Sequence, residues 1–269
     1  MKNTLLIAVL FALSLNTHAQ DPTADQVLDK YLTAIGGKEA IMKIQDLTIS
    51  STAETQRGAM ENEVRVKMPN KFTSVTYMMG NEVNRQICDG SKISMLSGWG
   101  GNQQTNVIEG ADATMMVLGS NPFPEMMYDQ LKITKNVVGR DTVNGKIAWK
   151  VEFSTPEGKK WSESFDMATG LKLKKVAGMG ATRRVQVGSA PAQQSPATAP
   201  SGGQGRPEGS GGMRGGINVV YDNYKEIKDG GGVKMPFSRS QKMGPMDMKF
   251  EIQTIKVNKG LKDAAFEVK

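Results

Sequence analysis

The stretch that decides the fold is NGKIAWKVEFSTPEGKKWSESFDMATGLKLK, residues 144–174. Ile147, Trp149, Val151 and Phe153 alternate with Ala148, Lys150 and Glu152. A period of two marks a strand with one face in a core. Asn144-Gly145 is a two-residue hairpin signal ahead of that strand. Glu157-Gly158 turns the chain into Trp161–Phe165. Asp166-Met167-Ala168-Thr169-Gly170 reads as a type I turn closed by glycine, after which Leu171 and Leu173 alternate with Lys172 and Lys174. Strands spaced this closely are antiparallel, because a parallel crossover needs about a dozen residues or more.

The same pattern runs outward in both directions. Upstream, Leu47-Thr48-Ile49 opens a strand, and Val64, Val66 and Met68 alternate with Arg65 and Lys67. Phe72–Met79 follows, then Val83–Cys88 and Ile93–Leu96 on either side of Asp89-Gly90. Residues 97–131 interrupt the meander with a loop at Trp99-Gly100-Gly101-Asn102 and two short methionine-rich helices, Ala111–Leu118 and Pro124–Leu131. Ile133–Val138 resumes the strands. Downstream come Ile217–Tyr224, Lys234–Met243, Met246–Val257 and Phe266–Val268. Ahead of them all, residues 22–45 read as helical, with Val27, Tyr31 and Ile35 on one stripe beside Leu28 and Leu32. Gly36-Gly37 stops that helix.

The expected fold class is therefore mainly β (α+β). One strongly curved antiparallel sheet of about ten strands forms an unclosed β-barrel, with the N-terminal helix and short lid helices on its concave face. Residues 188–216, rich in Gly, Pro and Ser, cannot bury enough apolar surface to order themselves and are expected to be a disordered insert in a single domain spanning 20–269.

Composition limits the chemistry. The chain has 269 residues, a formal net charge of +7, one histidine and one cysteine. Residues 1–19 read as a secretory signal: Lys2, an apolar run from Leu5 to Leu15, and Thr17-His18-Ala19 at a cleavage site. Export to a periplasm with cleavage after Ala19 is the expectation. His18 leaves with the signal, which excludes a Ser-His-Asp triad and histidine-ligated zinc. Cys88 has no partner for an intramolecular disulfide and reads as a small packed hydrophobe at a strand end. Nucleic acid is not an expected partner of an exported chain whose charge is scattered, and a monomer is expected.

Several short runs, in order, carry a resemblance: Ala34-Ile35-Gly36-Gly37-Lys38-Glu39-Ala40, Asp89-Gly90, Val143–Val151, Phe165-Asp166 with Thr169-Gly170-Leu171, Tyr221–Glu226, Gly232–Phe237 and Ile255-Lys256-Val257-Asn258. This succession resembles the outer-membrane lipoprotein-sorting family, the carriers called LolA and LolB and their relatives. The resemblance implies an unclosed barrel with a helical lid and an apolar cavity. It further implies carriage of the acyl chains of lipids or lipoproteins between membranes, with possible membrane-bound partner proteins and no cofactor.

The residues point to where such a cavity would lie. There are 18 methionines and few aromatics. Methionine suits surfaces that accept variable apolar partners. Met78, Met95, Met115, Met116, Met126 and Met127 are candidates for the lining, with Trp99, Leu118, Phe123 and Trp149 for the cavity and rim. Ordinary core packing explains the same residues equally well. A second reading is a Cu(I) site at Met243-Gly244-Pro245-Met246-Asp247-Met248, with Cys88 as a further ligand. A third is a non-catalytic interaction module of the cell envelope. Catalysis is not expected: Glu125, Asp129, Glu152 and Glu163 read as solvated surface, with no carboxylate pair marked out.

Overall fold

A computed structural model describes residues 21–55, 58–98, 104–177, 217–243 and 246–268. The signal segment, Trp99 and the 188–216 insert lie outside the described residues, as does the Gly244-Pro245 turn of the copper motif.

Helix α1, Ala24–Ala34, starts at a capping box. The Thr23 hydroxyl accepts the Gln26 N–H at 3.2 Å, and the Gln26 side chain accepts the Thr23 N–H at 2.8 Å. Its stripe of Val27, Leu28, Tyr31 and Leu32 is buried. Gly36 follows at φ +119, and a Cβ there would meet the Gly232 carbonyl oxygen at 2.7 Å. This close approach lets Lys234 donate its N–H to the Ile35 carbonyl at 2.8 Å, tying the helix end to the far part of the chain. A short helix α2, Lys38–Met42, comes next.

Thirteen antiparallel strands then form one sheet: β1 (Asp46–Thr55), β2 (Gly58–Lys67), β3 (Lys71–Met78), β4 (Asn81–Cys88), β5 (Ile93–Ser97), β6 (Gln104–Ile108), β7 (Thr134–Val143), β8 (Lys146–Ser154), β9 (Lys160–Asp166), β10 (Lys172–Ala177), β11 (Ile217–Glu226), β12 (Lys234–Met243) and β13 (Met246–Val257). Their order is β6-β5-β4-β3-β2-β1-β13-β12-β11-β10-β9-β8-β7. Every neighbour is consecutive in sequence except β1 and β13, which join the two halves. The edges β6 and β7 do not pair with each other among the described residues, so the curled sheet stays open.

Between β6 and β7 the chain forms α3, Gly110–Ser120, and a 3-10 turn, Pro124–Met127. They share a core with α1 and the inner faces of the strands: Tyr31, Ile35, Leu118, Phe123, Tyr128, Val151, Phe153, Trp161 and Phe165 pack in one buried cluster. Phe153 and Trp161, cross-strand partners, stack at 5.3 Å, and Tyr128 meets both rings. A second cluster under α3 joins Phe72, Cys88, Ile93 and Val117. Cys88 is fully buried, and burial pushes its thiol pKa up.

Three expectations need correction. The sheet has thirteen strands rather than about ten, and one of them, the polar run Gln104–Ile108 paired with β5, lies in the 97–131 stretch that reads as an interruption of the meander. Phe266–Val268 is not a strand. Asp263–Phe266 is a 3-10 turn that plants Phe266 in the interior and is held by Lys67 and Lys71 on Asp263. Glu125 and Glu163 are not solvated surface, since both are buried.

Candidate functional site

Those two carboxylates stand at the floor of the site. Glu163 is in phase with Trp161 and Phe165 on β9, so it points into the fold. Glu125 comes from the 3-10 turn after α3. Between them lies the Lys172 ammonium, in ion contact with Glu125 and 3.1 Å from Glu163 Oε2. Lys175 lies 3.6 Å from Glu163 Oε1, which also accepts the Tyr128 hydroxyl at 3.4 Å.

Two lysines three residues apart share one face only because β10 is irregular. Its register shifts between Lys172 and Lys174. Lys172 therefore pairs with Phe165 and Lys175 with Glu163, both inward positions, while Leu173 joins a separate cluster with Val143 and Ala148.

Burial dominates the electrostatics. Desolvation raises the Glu125 pKa, and nearby Glu163 adds to it, while Lys172 pulls the other way. Burial alone would lower the Lys172 pKa, but Glu125 and Glu163 outweigh it and hold the ammonium well above the ordinary lysine value. Lys175, farther from its carboxylate, is pushed down by burial. Burial also raises the pKa values of Tyr31, Tyr128, Tyr221 and Tyr224, so these hydroxyls stay protonated as donors. The second oxygen of Glu125 has no hydrogen-bond partner among the described residues.

Above this floor is a cavity of about 270 Å³. Its sheet side is lined by Ile49 and Ser51 of β1, Asn62 and Val64 of β2, Ser74 of β3, Phe250 and Ile252 of β13, and Met235, Pro236 and Arg239 of β12. Lys172, Lys175, Tyr221 and Tyr224 line the next side, and the segment Leu118–Pro122 with Pro124 closes it from the lid. The lining is mixed in character. Asn62 donates to Ser74 Oγ at 3.2 Å and Thr76 Oγ1 at 3.0 Å, forming a polar strip across β2 and β3. Ile49, Val64, Ile252 and Phe250 supply an apolar strip beside it.

Of the candidate residues, Leu118 lines this cavity. Phe123 and Met127 are buried in the packed clusters. Met115, Met126 and Trp149 are partly buried against the main core, and Met116 against the second. Met78 and Met95 are half-buried on β3 and β5. Met248 of the copper motif is buried with Ala53 and Phe250. The cationic and tyrosine lining was not among the candidates.

No family model matches the sequence, and no curated protein matches it. Solved structures do resemble the fold. A DUF1329 family protein from Desulfovibrio piger has a TM-score of 0.52 at 12% identity, covering 91% of this chain and 97% of that one. A LolA superfamily protein from Nitrosomonas europaea also has a TM-score of 0.52, at 9% identity, covering 92% of this chain and 98% of that one. The likeness is one of fold: an open antiparallel barrel wrapped around helices, as the sequence resemblance implies.

Proposed function

We propose that this chain, with its LolA-like fold, is a non-catalytic carrier that takes the acyl part of a lipid or lipoprotein into the space between sheet and lid. The observation that carries this reading is the cavity of about 270 Å³ enclosed between the concave face and the segment from Leu118 to Pro124. Such a volume lies near the lower end of small-molecule sites, about 300–1,000 Å³. The open β6–β7 seam favours a larger guest, because no ladder hydrogen bonds must break for the sheet to spread. Each methylene taken from water would contribute about 0.8 kcal/mol.

Met115, Met116 and Met126 of α3 and the following turn lie outside the cavity lining and would meet the guest only as the lid lifts from the cores they pack against. Release would follow the same path. Residues 1–19 support export, and transfer through a periplasm toward an outer membrane is the role that fits both features.

Native mass spectrometry of the protein purified from its own host tests the reading. The expected result is a bound lipid mass that is lost on delipidation, together with binding of a fluorescent fatty acid by the stripped protein. A clean protein mass with no fatty-acid binding would overturn it.

A further inference from the structure

The cavity has more positive charge than its carboxylates can use. Lys172 is committed to Glu125 and Glu163, and Lys175 reaches Glu163 only at 3.6 Å. Arg239 is different. Among the described residues no carboxylate lies within ion-pair distance of it. Its guanidinium lies over the Phe250 ring, 4.7 Å from the centroid. Phe250 is its register partner on β13, and Tyr221 is its partner on β11. The residue is exposed at the cavity wall, and the protein crowded around its guanidinium lowers its pKa from the ordinary arginine value. A guanidinium placed over a ring, with no carboxylate partner among the described residues, keeps its planar fork of donors available to a carboxylate or phosphate.

The neighbours extend the same chemistry. Lys175 stands two strands away on β10 and two residues along, about 12 Å between backbones, which two long side chains can span. Tyr221 lies on the strand between, with its hydroxyl kept protonated. The apolar strip of Ile49, Val64 and Ile252 lines the same cavity. Cation, donor and apolar wall thus meet in one space.

We propose that this cavity receives an anionic amphiphile, with the carboxylate or phosphate head on Arg239 beside Lys175 and Tyr221, and the alkyl chain along Ile49, Val64 and Ile252. The proposal rests on the acyl-carrier reading and narrows it to guests with a negatively charged head.

The test is displacement of a fluorescent fatty acid from delipidated protein by palmitate, hexadecyl phosphate, hexadecanol and inorganic phosphate. Palmitate and hexadecyl phosphate should compete at concentrations about tenfold or more below hexadecanol, and the gap should narrow with salt. R239M should shrink the gap to about threefold or less, and R239K should keep part of it. Equal competition by hexadecanol and palmitate in the wild type would overturn the anionic head while leaving an acyl carrier standing. A gap that persists in both R239M and the R239M/K175M double variant would overturn the assignment to these residues. Displacement by millimolar inorganic phosphate alone would mean a site for a free anion and would overturn the amphiphile. Failure of the fluorescent fatty acid to bind at all would defeat the carrier reading as well. If R239M does not fold, R239K and K175M decide: a gap as wide in both as in the wild type would overturn the assignment to these residues.

Discussion

Helix α1 packs against one part of the concave face and a cavity stands over another, and the two parts differ in chemistry. In the cluster that α1 shares with the sheet, Val151, Phe153 and Phe165 are sealed from water along with Ile35 at the helix end, and the rings of Tyr31 and Phe165 meet at 5.3 Å. Beyond it, the same face carries Lys175, Arg239, Ser51 and Asn62 around open space. Lys172 marks the border. Its ammonium lies 5.1 Å from the Tyr31 ring on one side while lining the cavity on the other. The packed part is mainly apolar and its buried charges, Glu163 and Lys172, pair with each other, whereas the cavity sets polar and cationic groups beside the apolar Ile49, Val64 and Ile252.

The border offers the sharpest way to break the contrast. Lys172→Met should cost about 3–5 kcal/mol, because it strands Glu125 and Glu163 in the interior. Urea denaturation reads this directly. The triple variant K172M/E125L/E163L, which removes the buried charges together, should recover most of that loss. If K172M costs under about 1 kcal/mol, the cluster is wet and the border is misplaced.

The covered region should respond to volume alone. Ile35→Val, at a residue with no exposure, should cost about 0.5–1.5 kcal/mol and do so equally at low and high salt. A salt-dependent cost there would erase the distinction between the regions.

The smallest effect is a pH trend. Burial raises the folded-state pKa of Glu125 above the ordinary glutamate value of 4.5. The folded chain thus holds this proton more tightly than the unfolded chain does, and stability from this group falls as pH rises from 4.5 through the raised value. Glu125→Gln removes the titration. Its stability relative to wild type should therefore climb over that interval, measured by urea unfolding at pH 4.5 and pH 7. A relative stability that declines instead would show that Lys172 outweighs burial.

Much of this architecture is legible in the residues, and the misses have physical causes. Alternation in Trp149–Phe153 and Trp161–Phe165 places those strands, and the same alternation carries the signal for Glu163, which sits in phase with two inward aromatics. Arg239 is likewise in phase with Met235 and Phe237. Reading acids and bases as surface by type overrode that phase. Lys172 is harder to find, since the β10 irregularity breaks the count and puts Lys172 and Lys175 on one face. Glu125 has no strand phase at all, because a 3-10 turn aims it. Methionine content pointed to the lid, yet of the methionines only Met235 lines the cavity among the described residues. An enclosed volume is a property of how helices and sheet meet in space, which no local pattern encodes.

An open sheet also has two strand margins, β6 and β7, that are unpaired among the described residues, and such margins are where copies of a chain can stack into fibrils. Here both are blunted. One margin, β6, is only five residues long and mostly polar. The other, β7, has a register break between Val137 and Gly139 and carries Lys135 and Arg140. Each of these features works against a second copy adding to the sheet at that margin.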